Sequence, residues 1–372
     1  MARTRSFGEM PRWVEYGLVP LVNLAVALLL SGVVVIILGA SPLEALDSLL
    51  YGAVGYPEAV GFTLYYATNF VFTGLAVAVA FHAGLFNIGG EGQAYIGGLG
   101  VGLVCLALGS WPLAIVLPLA VIAAALFGAA WAFIPGYLQA KRGSHIVITT
   151  IMFNFIASAL MTYLLVDVLI EPGQQAPRSA EFAPGVWLPY IHDLFERFGV
   201  DVGHSPLNLS SILAVLACVF VWLFMWHTRW GYEIRTVGHS ERAALYAGIS
   251  RPRAIILAMA ISGALAGLVG VNDIMGVHHY LLIGSTGGVG FVGIAVALMG
   301  RNHPVGIVVA ALLFGALYQG GSEIAFDIPE ITREMVVVIQ GLVILFCGAL
   351  ENMFKPQIAA FFRRRDVAAE AA

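Results

Sequence analysis

The sequence predicts an all-α fold, a polytopic transmembrane helical bundle. Three observations carry this: an apolar composition, apolar runs of spanning length, and basic residues segregated to alternate connections. Of the 372 residues, 60% are hydrophobic and 11% charged, with a mean hydropathy of +0.89. A soluble domain carries about 25% charged residues. A water-soluble fold of this length would still need polar groups to cover its surface, and long stretches here offer none. The bilayer is therefore the main solvent.

Apolar runs between breakers place about ten spans, near residues 17–40, 61–82, 93–109, 112–134, 146–170, 209–227, 254–276, 288–300, 304–321 and 333–351. The first follows Arg3, Arg5 and Arg12 and approaches the roughly 20 residues of a spanning helix, so it reads as an uncleaved span rather than a signal peptide. The runs at 93–109 and 288–300 are short and glycine-rich, as in broken or re-entrant helices.

With the N-terminus inside, the inside segments collect Arg3, Arg5, Arg12, Lys141, Arg142, Arg229, Arg235, Arg242, Arg251, Arg253, Arg301, Lys355 and Arg363 to Arg365. The outside segments keep Arg178, Arg197 and Arg333, and carry acids such as Glu44, Asp47, Glu58, Glu171, Glu181, Asp193, Asp201, Asp327 and Glu330. Ten spans with both termini inside satisfy that segregation. The two glycine-rich spans then cross in opposite directions, as expected of an inverted repeat whose broken helices meet near the midplane.

The whole chain, 1–372, reads as a single transmembrane domain with two long connections. The outside stretch 171–208 contains Pro172, Pro177, Pro184, Pro189 and Pro206 and reads as an irregular cap with one short helix near 191–198. It is either a landing surface for an extracytoplasmic partner or a plain connector. In the inside stretch 228–253, Ser240 is a good N-cap for a helix over 241–247 that Gly248 ends. Ala243, Ala244 and Ala247 give that helix a small-residue face on which another protein surface can come close; the alternative is a surface linker.

Polar residues inside spans are costly in hydrocarbon and usually face a protein interior or an aqueous path. Asn87, Glu91 and Gln93 lie among Gly89, Gly90 and Gly92, a composition that favours unwound backbone and a half-helix with free N–H groups for a polar solute. A glycine-lined helix crossing with Glu91 satisfied by local donors is the structural alternative. The stretch 284–293 repeats the pattern with Ser285 and Thr286. Asn154 beside Phe153, Asn272 beside Asp273, Tyr95 and Phe291 complete the pathway candidates, as hydrogen-bonding groups and flat apolar rings, although such aromatics more often pack a core.

Cys105, Cys218 and Cys347 all lie in apolar runs without disulfide or zinc spacing and read as packing residues. His82, His278 and His279 fall near predicted membrane edges, again without a metal-ligand pattern. No cofactor is expected. The net charge of −4 is too small to imply a nucleic-acid partner. Arg363 to Arg365 follow the last span and can touch anionic lipid headgroups, although orientation by positive charge is sufficient reason for them.

Three motifs, in this order, resemble those of one known family. They are GLFNIGGEGQ at 84–93, GHSERAALYAGI at 238–249 and GFVGIAVALMG at 290–300, with the stretch 141–154 besides. The chain resembles the inner-membrane permeases of bacterial ABC importers, in the branched-chain amino acid, ribose and nucleoside permease family, closest to its nucleoside and simple-sugar branch. The resemblance implies import of a small polar solute across the cytoplasmic membrane. It implies three partners: a cytoplasmic ATPase, a second related permease rather than an identical copy, and an extracytoplasmic binding protein. It also implies that Gly238, Glu241, Ala243, Ala244, Ala247 and Gly248 form the coupling helix that docks on the ATPase.

The only lysines are Lys141 and Lys355, and neither follows the glycine spacing of a phosphate-cradling loop, so ATP hydrolysis is expected on another polypeptide. An ion-coupled secondary transporter using Glu91 and Asp273 is the rival within transport. It has no use for the 238–249 loop. A membrane enzyme needs nucleophile, acid and base at one depth, and no such constellation is present.

Overall fold

The computed structural model describes residues 19–37, 39–200, 202–328, 331–332, 335–338 and 340–342. Arg3, Arg5, Arg12, Asp201, Glu330, Arg333, Cys347, Lys355, Arg363 to Arg365, both chain ends and most of the expected span at 333–351 lie outside the described residues.

Thirteen α-helices follow in order among the described residues: α1 Val19–Ile37, α2 Pro42–Val54, α3 Pro57–His82, α4 Gly90–Ala107, α5 Leu113–Tyr137, α6 Ile146–Tyr163, α7 Ile191–Glu196, α8 Ser210–His227, α9 Arg229–His239, α10 Glu241–Tyr246, α11 Arg251–Gly267, α12 Val289–Met299 and α13 Pro304–Asp327. Wider π turns extend α5 and α6 and form Val271–His278 after α11. Six of these helical segments are long and apolar enough to cross a membrane: Pro57–His82, Leu113–Arg142, Ile146–Val168, Ser210–His227, Arg251–His278 and Pro304–Asp327. The chain is a polytopic helical membrane protein.

Two compact units divide the chain, Ala53–Gln319 and the remainder. In the smaller, Val35, Ala45, Ile324, Ile328, Ile331 and Val336 form an apolar cluster. In the larger, α3 and α11 form the interior: 83% and 72% of their apolar windows are buried, against 17% for the α6 segment and 22% for the α5 segment. Exposed Ile122, Leu126, Phe155, Ile156, Val215 and Phe220 on α5, α6 and α8 are the side chains that a lipid surface accepts without cost.

Small residues bring the interior helices together. Gly263 and Gly267, four apart on α11, lie against the backbones of Gly128 and Ala124 on α5, where an added Cβ would meet carbonyl oxygens. Gly97 of α4 meets Gly267 in the same way. This packing holds α4 against α5 and α11, while α12 packs on α3 and α4.

Two expectations are revised. The polar stretch beginning at Thr228 starts with a full helix, α9, rather than a loop, and the segment between the spans expected at 17–40 and 61–82 contains α2. In α9 the Thr228 hydroxyl accepts a hydrogen bond from Gly231 N, and Gly231, Ile234 and Val237 form a buried stripe. The α10 reading agrees with the structure: the Ser240 hydroxyl accepts from Ala243 N and Gly248 follows with φ +71.

Candidate functional site

The two glycine-rich segments meet start to start. The carboxylate of Glu91, in the first turn of α4, reaches the start of α12. Its Oε1 accepts from Thr286 Oγ1 at 2.6 Å and from Gly288 N at 2.8 Å, and its Oε2 accepts from Gly290 N at 2.8 Å. A helix start offers unpaired N–H groups and a partial positive charge, so a carboxylate there is well placed. The donors are not local to Glu91; they come from about 195 residues further along the chain. Gly290 is required for the approach, since a Cβ on it would collide with the backbone N of Glu91.

Asn87, Gln93 and Asn154 surround the break ahead of α4. Asn87 and Gln93 are 0% and 1% exposed. Asn87 Nδ2 donates to Gln93 Oε1 at 3.0 Å and Ser262 Oγ at 2.9 Å, while its Oδ1 accepts from Gly89 N at 2.9 Å and Gln93 Nε2 at 3.2 Å. Asn154, on α6, accepts from Gly92 N and donates to Ile88 O, each at 2.9 Å. Asn87 and Asn154 satisfy backbone groups of the turn from α3 into α4, and Gln93 holds Asn87 in place. In this conformation Asn87 and Gln93 hold the chain and present no surface to a solute.

A second polar cluster forms where the π turn widens the helix after Gly267. Asn272 Oδ1 accepts from Asn208 Nδ2 at 2.9 Å and Ser210 Oγ at 2.7 Å, and its Nδ2 donates to Asn69 Oδ1 at 2.8 Å. Asp273 Oδ1 accepts from Tyr65 OH at 2.7 Å and Asn69 Nδ2 at 2.8 Å, whereas its Oδ2 accepts nothing from the described residues. The rings of Tyr65 and Tyr66 lie 5.2 Å apart, Tyr66 and Tyr318 5.8 Å, and Phe70 and Tyr318 5.0 Å. Phe291, in the first turn of α12, is 49% exposed. Tyr95 OH donates to Leu282 O at 3.3 Å and accepts from Gly284 N at 2.9 Å, fastening the second glycine-rich segment.

Sequence reading missed Tyr65 and Asn69. Their spacing of four on the otherwise apolar α3 puts both on one helix face, and that spacing was the available signal. Thr286 was noted only as part of a glycine-rich stretch.

The coupling-helix candidates divide by exposure. Glu241, Ala243, Ala247 and Gly248 are exposed, but Ala244 is 0% exposed and packs inward. The expected small-residue face therefore lacks Ala244, because α10 is a single short turn whose middle residue seats it on the hairpin. Leu245 and Tyr246, 76% and 93% exposed, project instead. Gly238 lies against the backbones of His82 and Gly84, which links the hairpin to the segment leading into α4.

The 171–208 stretch is fastened rather than loose. Ser179 N donates to Leu281 O at 3.0 Å, Phe182 N to His279 O at 2.7 Å and Leu188 N to Met275 O at 3.2 Å. Trp187 stacks on His279 at 4.0 Å and 11°. Burial pushes the His279 imidazole below its ordinary range, with Glu181 opposing and His278 adding to the shift. Cys105 and Cys218 are free thiols, and the described residues bring together no group of three or more metal-ligating side chains.

Two helices clasped start to start, with a helical hairpin packed on the segment that feeds one of them, form the centre of a helical membrane protein. Residues 59–348 match the family described as branched-chain amino acid transport system / permease component. The chain belongs to that family, as a permease subunit of an ABC importer. It is 37% identical over 341 residues to the guanosine ABC transporter permease protein NupP of Bacillus subtilis, covering 91% of this chain and 95% of that one. It is 35% identical to the nucleoside permease NupB of Lactococcus lactis, over 88% of this chain and 90% of that one. It is 33% identical to the glucose permease TsgB13 of Haloferax volcanii, over 96% and 93%. A second Bacillus subtilis guanosine permease, NupQ, matches more distantly, at 28% identity over 68% of this chain and 78% of that one. No solved structure matches the chain.

Proposed function

We propose that this permease imports a nucleoside, with a simple sugar as the second reading. Support for the first comes from the guanosine and nucleoside permeases among its relatives; the glucose permease, aligned over nearly the whole chain, supports the second. The solute passes the Glu91 clasp, next to Asp273 and the rings of Tyr66 and Tyr318. A carboxylate oxygen without a partner suits hydroxyl groups, and the rings suit a base or the apolar face of a sugar. The observation that carries this placement is the start-to-start meeting of α4 and α12 around Glu91.

In this reading the chain crosses the bacterial cytoplasmic membrane ten times with both ends inside, its two glycine-rich half-helices belonging to an inverted repeat. ATP hydrolysis takes place on a separate cytoplasmic ATPase that docks on residues 228–253. A second, related permease completes the pathway, as the pairing of names NupP and NupQ in one organism suggests. An extracytoplasmic binding protein delivers solute at residues 171–208. Affinity purification from native membranes in mild detergent tests the assembly: an ATPase and a different permease co-purify. Recovery of this chain alone, where a known importer stays intact, refutes it.

A further inference from the structure

The hairpin of α9 and α10 shares a cleft with the ends of α3 and α8. The cleft holds about 480 Å³, and its walls include His82, Trp226, Tyr232, Arg235, His239 and Ala243. Among the described residues, no aspartate or glutamate lines it. The hairpin's two carboxylates are already committed, Glu233 to Arg229 and Glu241 to Arg251, each at 2.9 Å. Arg235 has no carboxylate partner among the described residues, and its Nε is buried without a hydrogen bond. Its guanidinium lies 5.9 Å from the Trp226 ring. A buried guanidinium nitrogen without an acceptor is unfavourable until one arrives.

We propose that this cleft receives a carboxylate side chain of the ATPase subunit, which pairs with Arg235. The planar guanidinium matches a carboxylate in a two-pronged arrangement. The occupant comes from the ATPase because Ala243, on α10, forms part of the wall. A protein seated on the exposed Leu245 and Tyr246 thus covers the opening. The proposal rests on the reading that residues 228–253 meet the ATPase, and adds a second, charged point of contact to it.

The complete complex supplies the test. Wild type, Arg235→Gln, Arg235→Lys and Tyr246→Arg are extracted in mild detergent, and the ATPase retained is followed as salt is raised. Arg235→Gln weakens retention about tenfold or more, while Arg235→Lys keeps part of it. The chain has lysine only at 141 and 355, so a water-soluble carbodiimide applied to the Arg235→Lys complex has little background. Cross-linking of the introduced amine to an aspartate or glutamate of the ATPase establishes the pairing. If no such cross-link forms and Arg235→Gln retains the ATPase like wild type, while Tyr246→Arg releases it, the cleft proposal is overturned and the docking reading stands. If the ATPase is absent even from the wild-type preparation, both fall. An effect of Arg235→Gln seen only as a lost requirement for phosphatidylglycerol in phosphatidylcholine vesicles, without a cross-link, assigns the cleft to a lipid headgroup and overturns the proposal.

Discussion

Glu91 and Gly290, 199 residues apart in the sequence, meet at the starts of two helices, the Glu91 carboxylate accepting the Gly290 N–H at 2.8 Å. The same carboxylate takes two further donors, so one side chain satisfies three groups that hydrocarbon leaves unpaired. Motion between α4 and α12 has to break or carry this contact.

Glu91→Gln keeps the shape but turns one acceptor oxygen into a donor facing another donor. Uptake is expected to fall at least about tenfold, with the protein still recovered from membranes. Glu91→Ala leaves all three donors unpaired and costs about 2–4 kcal/mol of stability. Radiolabelled uptake and thermal unfolding in detergent check both; two variants indistinguishable from wild type would remove the clasp from the mechanism.

Gly290→Ala places a Cβ against the backbone of Glu91, whereas Gly185→Ala meets nothing within 4 Å. The first is expected to abolish uptake and lower the yield of folded protein, and the second to match wild type within about 0.5 kcal/mol. Size-exclusion profiles of the two, run together, separate a packing effect from a general intolerance of substitution.

Ala244 and Tyr246 differ by two residues and are expected to fail differently. Ala244→Arg forces a charged side chain into a position with no exposed surface, so the protein misfolds or is degraded. Tyr246→Arg changes a 93% exposed side chain and is expected to leave folding intact while releasing the ATPase. Membrane abundance and ATPase co-purification, measured on the same samples, distinguish the two. Equal abundance of both variants would contradict the inward placement of Ala244.

His279 links residues 171–208 to the described core through its stacking on Trp187. Burial holds the imidazole below its ordinary range. The unfolded or undocked state therefore binds the proton more readily, and the contact is strongest above the ordinary histidine pKa of about 6.5 and weakens as pH falls through it. Hydrogen-exchange protection in the 171–208 stretch, corrected for the pH dependence of the intrinsic rate, is expected to fall between about pH 7.5 and 5.5. His279→Asn, which tolerates the φ of 59 at this position, is expected to remove that dependence. An unchanged pH profile in the variant would assign the effect to another group.

Apolar runs and caps made much of this fold legible in the sequence. Ser240 and Gly248 marked α10 because caps are local chemistry, and the short helix expected near 191–198 is α7. The α9 helix was missed because its sequence is polar, with a buried stripe of only Gly231, Ile234 and Val237. Glu91 was found from its glycine-rich surroundings, but its partners were not, since nothing local ties it to Thr286, Gly288 and Gly290. Asn87 and Gln93 show the limit of reading polarity alone. A buried amide signals a need for partners, and here the partners are the chain itself.

The most direct test of the account is ATP-dependent uptake into proteoliposomes containing this permease, its co-purified partners and the binding protein. Labelled guanosine and glucose are offered separately, with wild type and Glu91→Gln compared. The account predicts ATP-dependent uptake by wild type, greater for guanosine, and its loss in Glu91→Gln at unchanged protein content. Uptake that ignores ATP and follows a proton or sodium gradient, or that is unaffected by the Glu91 change, would contradict it.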